Sequence, residues 1–219
     1  MSSQDIREEL CIYAAKTVAN RLVVGPGGNI SAKSEGKMYI SPSGFALDEI
    51  AADQWVEVDI ETGEIAEGSR RPSSEVLMHL YAYRANPGIG AIVHTHPPYC
   101  IAFTLVEREL PIMFPDQAAL VGRTGRVPYV LPTTSALADA YVATVNEAST
   151  VLLENHGLVT HGRNLREAYY RTEVIEESCK IYLIAKAVNQ PKLLTVEEVD
   201  EIASLESEAY RIQLLQSMK

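Results

Sequence analysis

The stretch Ala91-Ile92-Val93-His94-Thr95-His96-Pro97-Pro98 decides how the chain is read. A short apolar run with the character of a buried strand ends in two histidines one residue apart. Strand side chains alternate between faces, so His94 and His96 point the same way. Two imidazoles side by side at a strand end make half of a metal site. A bare His-x-His also arises by chance, with both rings bonded to backbone at the mouth of a sheet. The remaining histidines weigh the two readings. There are five in all, His79, His94, His96, His156 and His161. His156 lies in Leu152-Leu153-Glu154-Asn155-His156-Gly157, again an apolar run entering a histidine and a glycine. Three histidines at strand ends or turns, with a carboxylate as fourth ligand, match the donor set of catalytic zinc.

Composition bounds the rest. A chain of 219 residues fits one large domain, 1–219, better than two. With 47% hydrophobic and 22% charged residues it can bury a full core. The net charge of −10 argues against a nucleic-acid partner, and no basic run stands out. An anionic ligand must therefore be held by local donors. Cys11, Cys100 and Cys179 are widely spaced and form no Cys-x-x-Cys, which excludes a disulfide framework and fits a reducing compartment. No apolar run approaches the roughly 18 residues of a membrane span. Met1 leads into an acidic helical pattern and not into a signal peptide. The expectation is a soluble, cytoplasmic protein without a membrane partner.

Along the chain, helical spacing predicts a helix over 4–22, stopped by Gly25-Pro26-Gly27-Gly28. Ile30 opens a short strand, and Met38-Tyr39-Ile40 resumes extended structure after a polar turn. Trp55-Val56-Glu57-Val58-Asp59 alternates as a half-exposed strand does. Ser73-Ser74-Glu75 starts a helix that runs to about Ala85. The His94 strand follows, then a helix near 100–106. A strand is expected over Val127–Leu131 and a helix over Ser135–Ala148. Val151-Leu152-Leu153 and Leu158-Val159-Thr160 flank the Asn155-His156-Gly157 turn. Asn164 caps the longest helix, 165–188, and a last acidic helix runs from near Thr195 towards Tyr210. Short strands mixed with helices imply an α/β fold, a mostly antiparallel sheet covered by helices on both faces.

Five short motifs, in this order, carry a family resemblance: Gly28-Asn29-Ile30-Ser31, Ser41-Pro42-Ser43-Gly44, Arg71-Pro72-Ser73-Ser74-Glu75, His94-Thr95-His96 and Asn155-His156-Gly157. Together they resemble the class II aldolase/adducin family, most closely its fuculose-phosphate aldolase branch. The resemblance implies a three-layer α/β/α fold and a homotetramer with active sites between subunits, which the tail, about 195–219, would reach. It implies one zinc ion per subunit, held by His94, His96 and His156, with Glu75 completing the set until substrate displaces it. Three neutral imidazoles leave zinc its full charge to polarise a carbonyl, which supports the same assignment chemically. His79, four residues beyond Glu75, shares its helix face and is the rival ligand. The family pattern does not use it, so it reads as a core residue or a support for a ligand. His161 has no motif around it and reads as a surface residue.

The implied substrate is a small phosphorylated sugar, a ketose 1-phosphate split into dihydroxyacetone phosphate and an aldehyde. Gly28, Asn29, Ser43, Gly44, Ser73 and Ser74 would cradle the phosphate, the last two at a helix N-terminus that favours anions. Glu75 would move the proton at C3. For the proton at the aldehyde oxygen two residues stand open. Asp116, in Phe114-Pro115-Asp116-Gln117, occupies the place where fuculose-phosphate enzymes carry a tyrosine, and Tyr210 matches their C-terminal tyrosine. An aspartate in this region resembles the ribulose-phosphate 4-epimerases, so epimerisation is the alternative activity. A non-catalytic, adducin-like interaction domain is the alternative class, and retention of Glu75 and all three histidines weighs against it.

Overall fold

The structure is a computed structural model that describes residues 3–67 and 69–217. Its centre is the strand that ends in the histidines. That strand, β4 (Ala91–Thr95), is buried along its whole length. It pairs antiparallel with β1 (Asn29–Ser34) on one side and with β7 (Gly157–Gly162) on the other. The sheet continues beyond β1 through β2 (Lys37–Ile40) and β3 (Val56–Asp59), and beyond β7 through β6 (Thr150–Leu153) and β5 (Gly125–Val127). Among the described residues these strands form one sheet in the order β3-β2-β1-β4-β7-β6-β5. Every pairing is antiparallel except β5 with β6.

Alternation along the strands builds two apolar layers. Ile92 and Val159 pack with Met78 and Tyr83 of α2 (Val76–Ala85) and with Leu137 and Tyr141 of α4 (Ser135–Val142). Ala91 and Val93 face the other way, against Leu10 and Tyr13 of α1 (Ser3–Ala19) and Tyr169 of α5 (Leu165–Val188). On that same side α3 (Pro98–Val106) sets Cys100 and Phe103 against Leu158 and Ile175. The result is the expected three-layer α/β/α fold around a mostly antiparallel sheet. Each fully buried Leu, Ile, Val or Phe contributes about 1.5–3 kcal/mol. That surplus offsets the cost of placing Asn29, Glu75 and His94 in the same interior, where each needs a partner to be tolerated.

Several boundaries differ from the expectation, each for a local reason. The first helix closes at Ala19, before the expected Leu22. Arg21 takes a φ of +55°, and the bonds Arg21 N–H to Val18 O and Leu22 N–H to Thr17 O close a Schellman motif. The strand expected over Val127–Leu131 is instead β5, Gly125–Val127, because Pro128 has no N–H to give the ladder. The helix over Ser135–Ala148 ends at Val142, where the Thr144 hydroxyl takes the carbonyl of Tyr141 at 2.7 Å. Gln117–Val121 forms a π-helical turn. The tail is two helices, α6 (Val196–Ala203) and α7 (Glu206–Ser217), with Ser204 folding its hydroxyl onto Glu201 O at 2.8 Å between them. The second of these returns to the body, where Asn164 Nδ2 donates to Leu215 O at 2.9 Å and Gln216 Nε2 to Glu167 Oε1 at 3.1 Å. Met1, Ser2, Gly68, Met218 and Lys219, within the expected domain and tail, lie outside the described residues. His161 is not a surface residue: β4 and β6 flank its strand, it is 8% exposed, and its Nε2 lies 3.2 Å from Ala148 O.

Candidate metal centre

The four residues proposed as metal ligands arrive from three places. His94 is the penultimate residue of β4, and His96 directly follows that strand, its backbone N–H tied to Leu22 O at 3.0 Å. His156 stands in the β6–β7 turn, where Asn155 takes a φ of +56°. Glu75 is the N-cap residue of α2, its N–H bonded to Ser73 Oγ at 3.3 Å. Two glycines let these segments meet. A Cβ at Gly157 would collide with the Thr95 carbonyl, and one at Gly28 would lie 2.7 Å from the His94 carbonyl, at a φ of +71°. Gly28, expected only at the phosphate, is also what lets β1 begin against the histidine strand.

The ligand atoms of His94, His96 and His156 lie within 4.8 Å of one another. His94 Nε2 is 3.1 Å from His96 Nε2 and 3.1 Å from Glu75 Oε2, while His156 Nε2 is 3.5 Å from Glu75 Oε1. Two donors bound tetrahedrally at zinc distances sit roughly 3.3 Å apart, so the spacing suits a shared ion. The hydrogen bonding points the same way. His94 Nδ1 lies 3.0 Å from Leu158 O, which only accepts, so Nδ1 carries the hydrogen and a neutral ring turns its Nε2 lone pair towards Glu75 and His96. Glu75 Oε1 is buried without a hydrogen-bond partner. Lone pairs and a carboxylate oxygen converging in this way need a cation or a proton between them.

The electrostatics agree. Burial pushes the Glu75 carboxyl up, but the charge and hydrogen bond of His94, with His156 and Asn29, hold it well below the usual carboxylate range. Burial also pushes His94 down, yet Glu75 reverses this and leaves the ring easier to protonate than a free histidine. His96 falls to about 3 and His156 to about 4, first through burial and then through the charge on His94. Of the three rings, His94 is, in the absence of a metal, the one that Glu75 favours for a proton. Metal binding would displace it.

Of the residues assigned to the phosphate, Asn29 and Ser73 contact Glu75 directly. Ser73 N–H donates to Ser41 O at 3.0 Å and Ser43 N–H to Arg71 O at 2.9 Å, so the two serine loops are laced together. Ser43, Gly44 and Ser74 are exposed there, and Gly44 has a φ of +86°. Asn29 is buried and its side chain is engaged, Nδ2 donating to Glu75 Oε2 at 2.9 Å and Oδ1 accepting from His79 Nε2 at 2.5 Å. Asp116 and Tyr210 are exposed and stand in segments joined by an Arg211–Asp116 ion pair of 2.8 Å. Ser31, His79 and Tyr83 form a buried polar group behind Glu75; of these only His79 was read from sequence, as a core residue or a support for a ligand. The signal was present as two spacings, Asn29 to Ser31 on the strand and Glu75 to His79 to Tyr83 on the helix.

A three-layer fold with a triad of imidazoles at the ends of its central strands and a carboxylate at the facing helix start defines a metal-dependent lyase of the class II aldolase type. The chain belongs to the class II aldolase/adducin family: residues 8–183 match the family described as Class II Aldolase and Adducin N-terminal domain. It is 38% identical over 206 residues to a 5-deoxy-D-ribulose 1-phosphate aldolase of Bacillus thuringiensis serovar kurstaki, covering 93% of this chain and 96% of that one. It is 40% identical over 161 residues to an L-fuculose phosphate aldolase of Methanococcus vannielii, covering 74% and 86%. A solved structure of L-fuculose 1-phosphate aldolase superposes with a TM-score of 0.87 at 34% identity, covering 96% of this chain and 98% of that one. The protein is an aldolase-type enzyme of this family, with a histidine site able to hold a divalent metal.

Proposed function

We propose that the enzyme splits a ketose 1-phosphate into dihydroxyacetone phosphate and an aldehyde, with zinc held by His94, His96, His156 and, before substrate arrives, Glu75. The convergence of these four side chains carries the reading. Zinc, when bound, supplies a Lewis acid that polarises the C2 carbonyl and offsets the negative charge developing there. The chain's residues do the rest. The exposed Ser43, Gly44 and Ser74, with Gly28, Asn29 and Ser73, hold the phosphate at the N-terminal end of α2. The C4 hydroxyl loses its proton to a base, the C3–C4 bond breaks with its electron pair on C3, and the aldehyde leaves. Glu75, once substrate has displaced it from the metal and it has taken a proton from solvent, delivers that proton to C3, completing dihydroxyacetone phosphate. The base returns its proton to solvent, and condensation runs the same transfers in reverse. Asp116 or Tyr210 is assigned the proton at the aldehyde oxygen, acting in a homotetramer whose sites lie between subunits.

The relative named for 5-deoxy-D-ribulose 1-phosphate, similar along almost the whole chain, supports a ketose 1-phosphate with a short deoxygenated tail as substrate. A coupled assay for dihydroxyacetone phosphate release across a panel of ketose 1-phosphates tests the reading, with ribulose 5-phosphate as the control for 4-epimerase activity favoured by Asp116. The expected result is release from a deoxyketose 1-phosphate with about one zinc per subunit. His96→Ala should lose turnover and metal together, and a variant that retained activity would overturn the site as drawn.

A further inference from the structure

Behind the metal centre, β1 and α2 interleave polar side chains in a sandwich that is otherwise apolar. Asn29 and Ser31 lie two apart on the strand and share its α2-facing side. Glu75, His79 and Tyr83 lie four apart and share one helix face. Contacts zigzag between the two elements. Tyr83 Oη is 2.8 Å from Ser31 Oγ, which is 2.7 Å from His79 Nδ1. His79 Nε2 is 2.5 Å from Asn29 Oδ1, and Asn29 Nδ2 is 2.9 Å from Glu75 Oε2. His79 and Ser31 are 0% exposed and Asn29 and Tyr83 3%, so no solvent competes for these groups.

Complete burial keeps the His79 ring neutral, its pKa pushed down to about 3, and every hydrogen in this chain then has one consistent place. The Glu75 carboxylate only accepts, so the Asn29 amide turns its N–H₂ to it and its oxygen to His79. That oxygen requires a hydrogen on His79 Nε2. The neutral ring then accepts at Nδ1, so Ser31 donates its O–H there and receives one from Tyr83. We propose that His79 is a positioning residue for Glu75: its Nε2–H tautomer, set by Ser31 and Tyr83, locks the Asn29 amide so that Oε2 of Glu75 is held while Oε1 handles the proton. The opposite tautomer would rotate the amide and set Asn29 Oδ1 against the carboxylate, acceptor against acceptor. Polarised chains of this kind strengthen each member, and their burial makes the wrong arrangement costly. The proposal rests on the reading that Glu75 moves the proton at C3.

Long-range ¹H–¹⁵N correlation spectra of the histidine-labelled full-length protein, with and without zinc, read the tautomer directly. His79 should show a protonated Nε2 and a bare Nδ1 at neutral pH in both samples. A protonated Nδ1 or a mixture of the two overturns the proposal, and no variant is needed for that result. In kinetics, His79→Phe should lower kcat about 10–100-fold, with KM and zinc content near wild type. His79→Gln, which keeps an N–H towards Asn29, should recover most of it. Equal losses in both variants, or losses matched by lost metal, would reduce His79 to packing and sink the idea. If wild type binds zinc but releases no dihydroxyacetone phosphate, the reading of the reaction fails, and the polarised chain is then decided by the ring nitrogens alone.

Discussion

At the scale of single residues, the site is a question of where protons sit. His94 spends Nδ1 on Leu158 O, so one ring nitrogen orients the other, and Glu75 is left with a buried oxygen that has no hydrogen-bond partner among the described residues. Glu75→Gln keeps an oxygen that ligates weakly but cannot carry a proton. Turnover should fall at least about 100-fold, while zinc content, measured by atomic absorption, stays near wild type; an equal loss of both would leave Glu75 a structural ligand only. His161 supplies a second test. Burial first, and the Arg171 charge next, push its pKa down to about 4 from 6.5. Below about pH 6.5 the unfolded chain takes a proton that the folded chain refuses until about pH 4. Stability should therefore be intact above that window and fall through it, by roughly 1–3 kcal/mol for this group. Urea midpoints measured against pH should fall less steeply in His161→Gln, which keeps a donor for Ala148 O. Its surface reading from sequence failed because a lone histidine has no periodicity, and only pairing of β7 on both sides buries it.

At the scale of elements, legibility followed locality. The strands ending at His94 and His156, the turn glycines and the capped start of α5 are written in contiguous residues, and each was read correctly. The end of α1 escaped, because Arg21 takes the left-handed position that glycine usually signals. So did the π-helical turn, which no spacing announces. The least legible contact joins α3 to α5. Pro97 is the N-cap residue of α3 and offers no side-chain acceptor. Glu176 takes over from α5, accepting Tyr99 N–H at 3.1 Å and Cys100 N–H at 2.9 Å. A carboxylate at a helix N-terminus suits both the free N–H groups and the dipole. This helix begins two residues after His96, so the cap also steadies a ligand. Glu176→Ala should cost about 1–2 kcal/mol, as lost caps do, and weaken zinc binding several-fold in a competition titration. Glu176→Gln should restore part of both. Unchanged zinc affinity alongside lost stability would confine Glu176 to the helix.

At the scale of the molecule, a metal held by these residues would tie the start of α2 to the ends of the central strands. Glu75, His94 and His156 belong to α2, β4 and the β6–β7 turn, and they meet through the ends of neighbouring strands β1, β4 and β7. A ligand that binds only the folded state stabilises it by mass action, about 2.7 kcal/mol at a hundredfold excess over its dissociation constant. For a chain of 219 residues, each kcal/mol moves the melting temperature by about 2–4 °C. Zinc at that excess should therefore raise Tm by roughly 5–10 °C, and a chelator should reverse the change. The gain should shrink as pH falls, because zinc competes with protons for its imidazole ligands and Glu75 makes His94 easier to protonate than a free histidine. His96→Ala should lose most of the zinc-dependent rise while keeping a Tm close to that of the chelated wild type, since His96 is only partly buried and the two apolar layers do not depend on it. Scanning calorimetry with and without chelator, on wild type and variant, separates these terms. A zinc-dependent rise of equal size in both proteins would place the stabilising ion away from the histidine cluster.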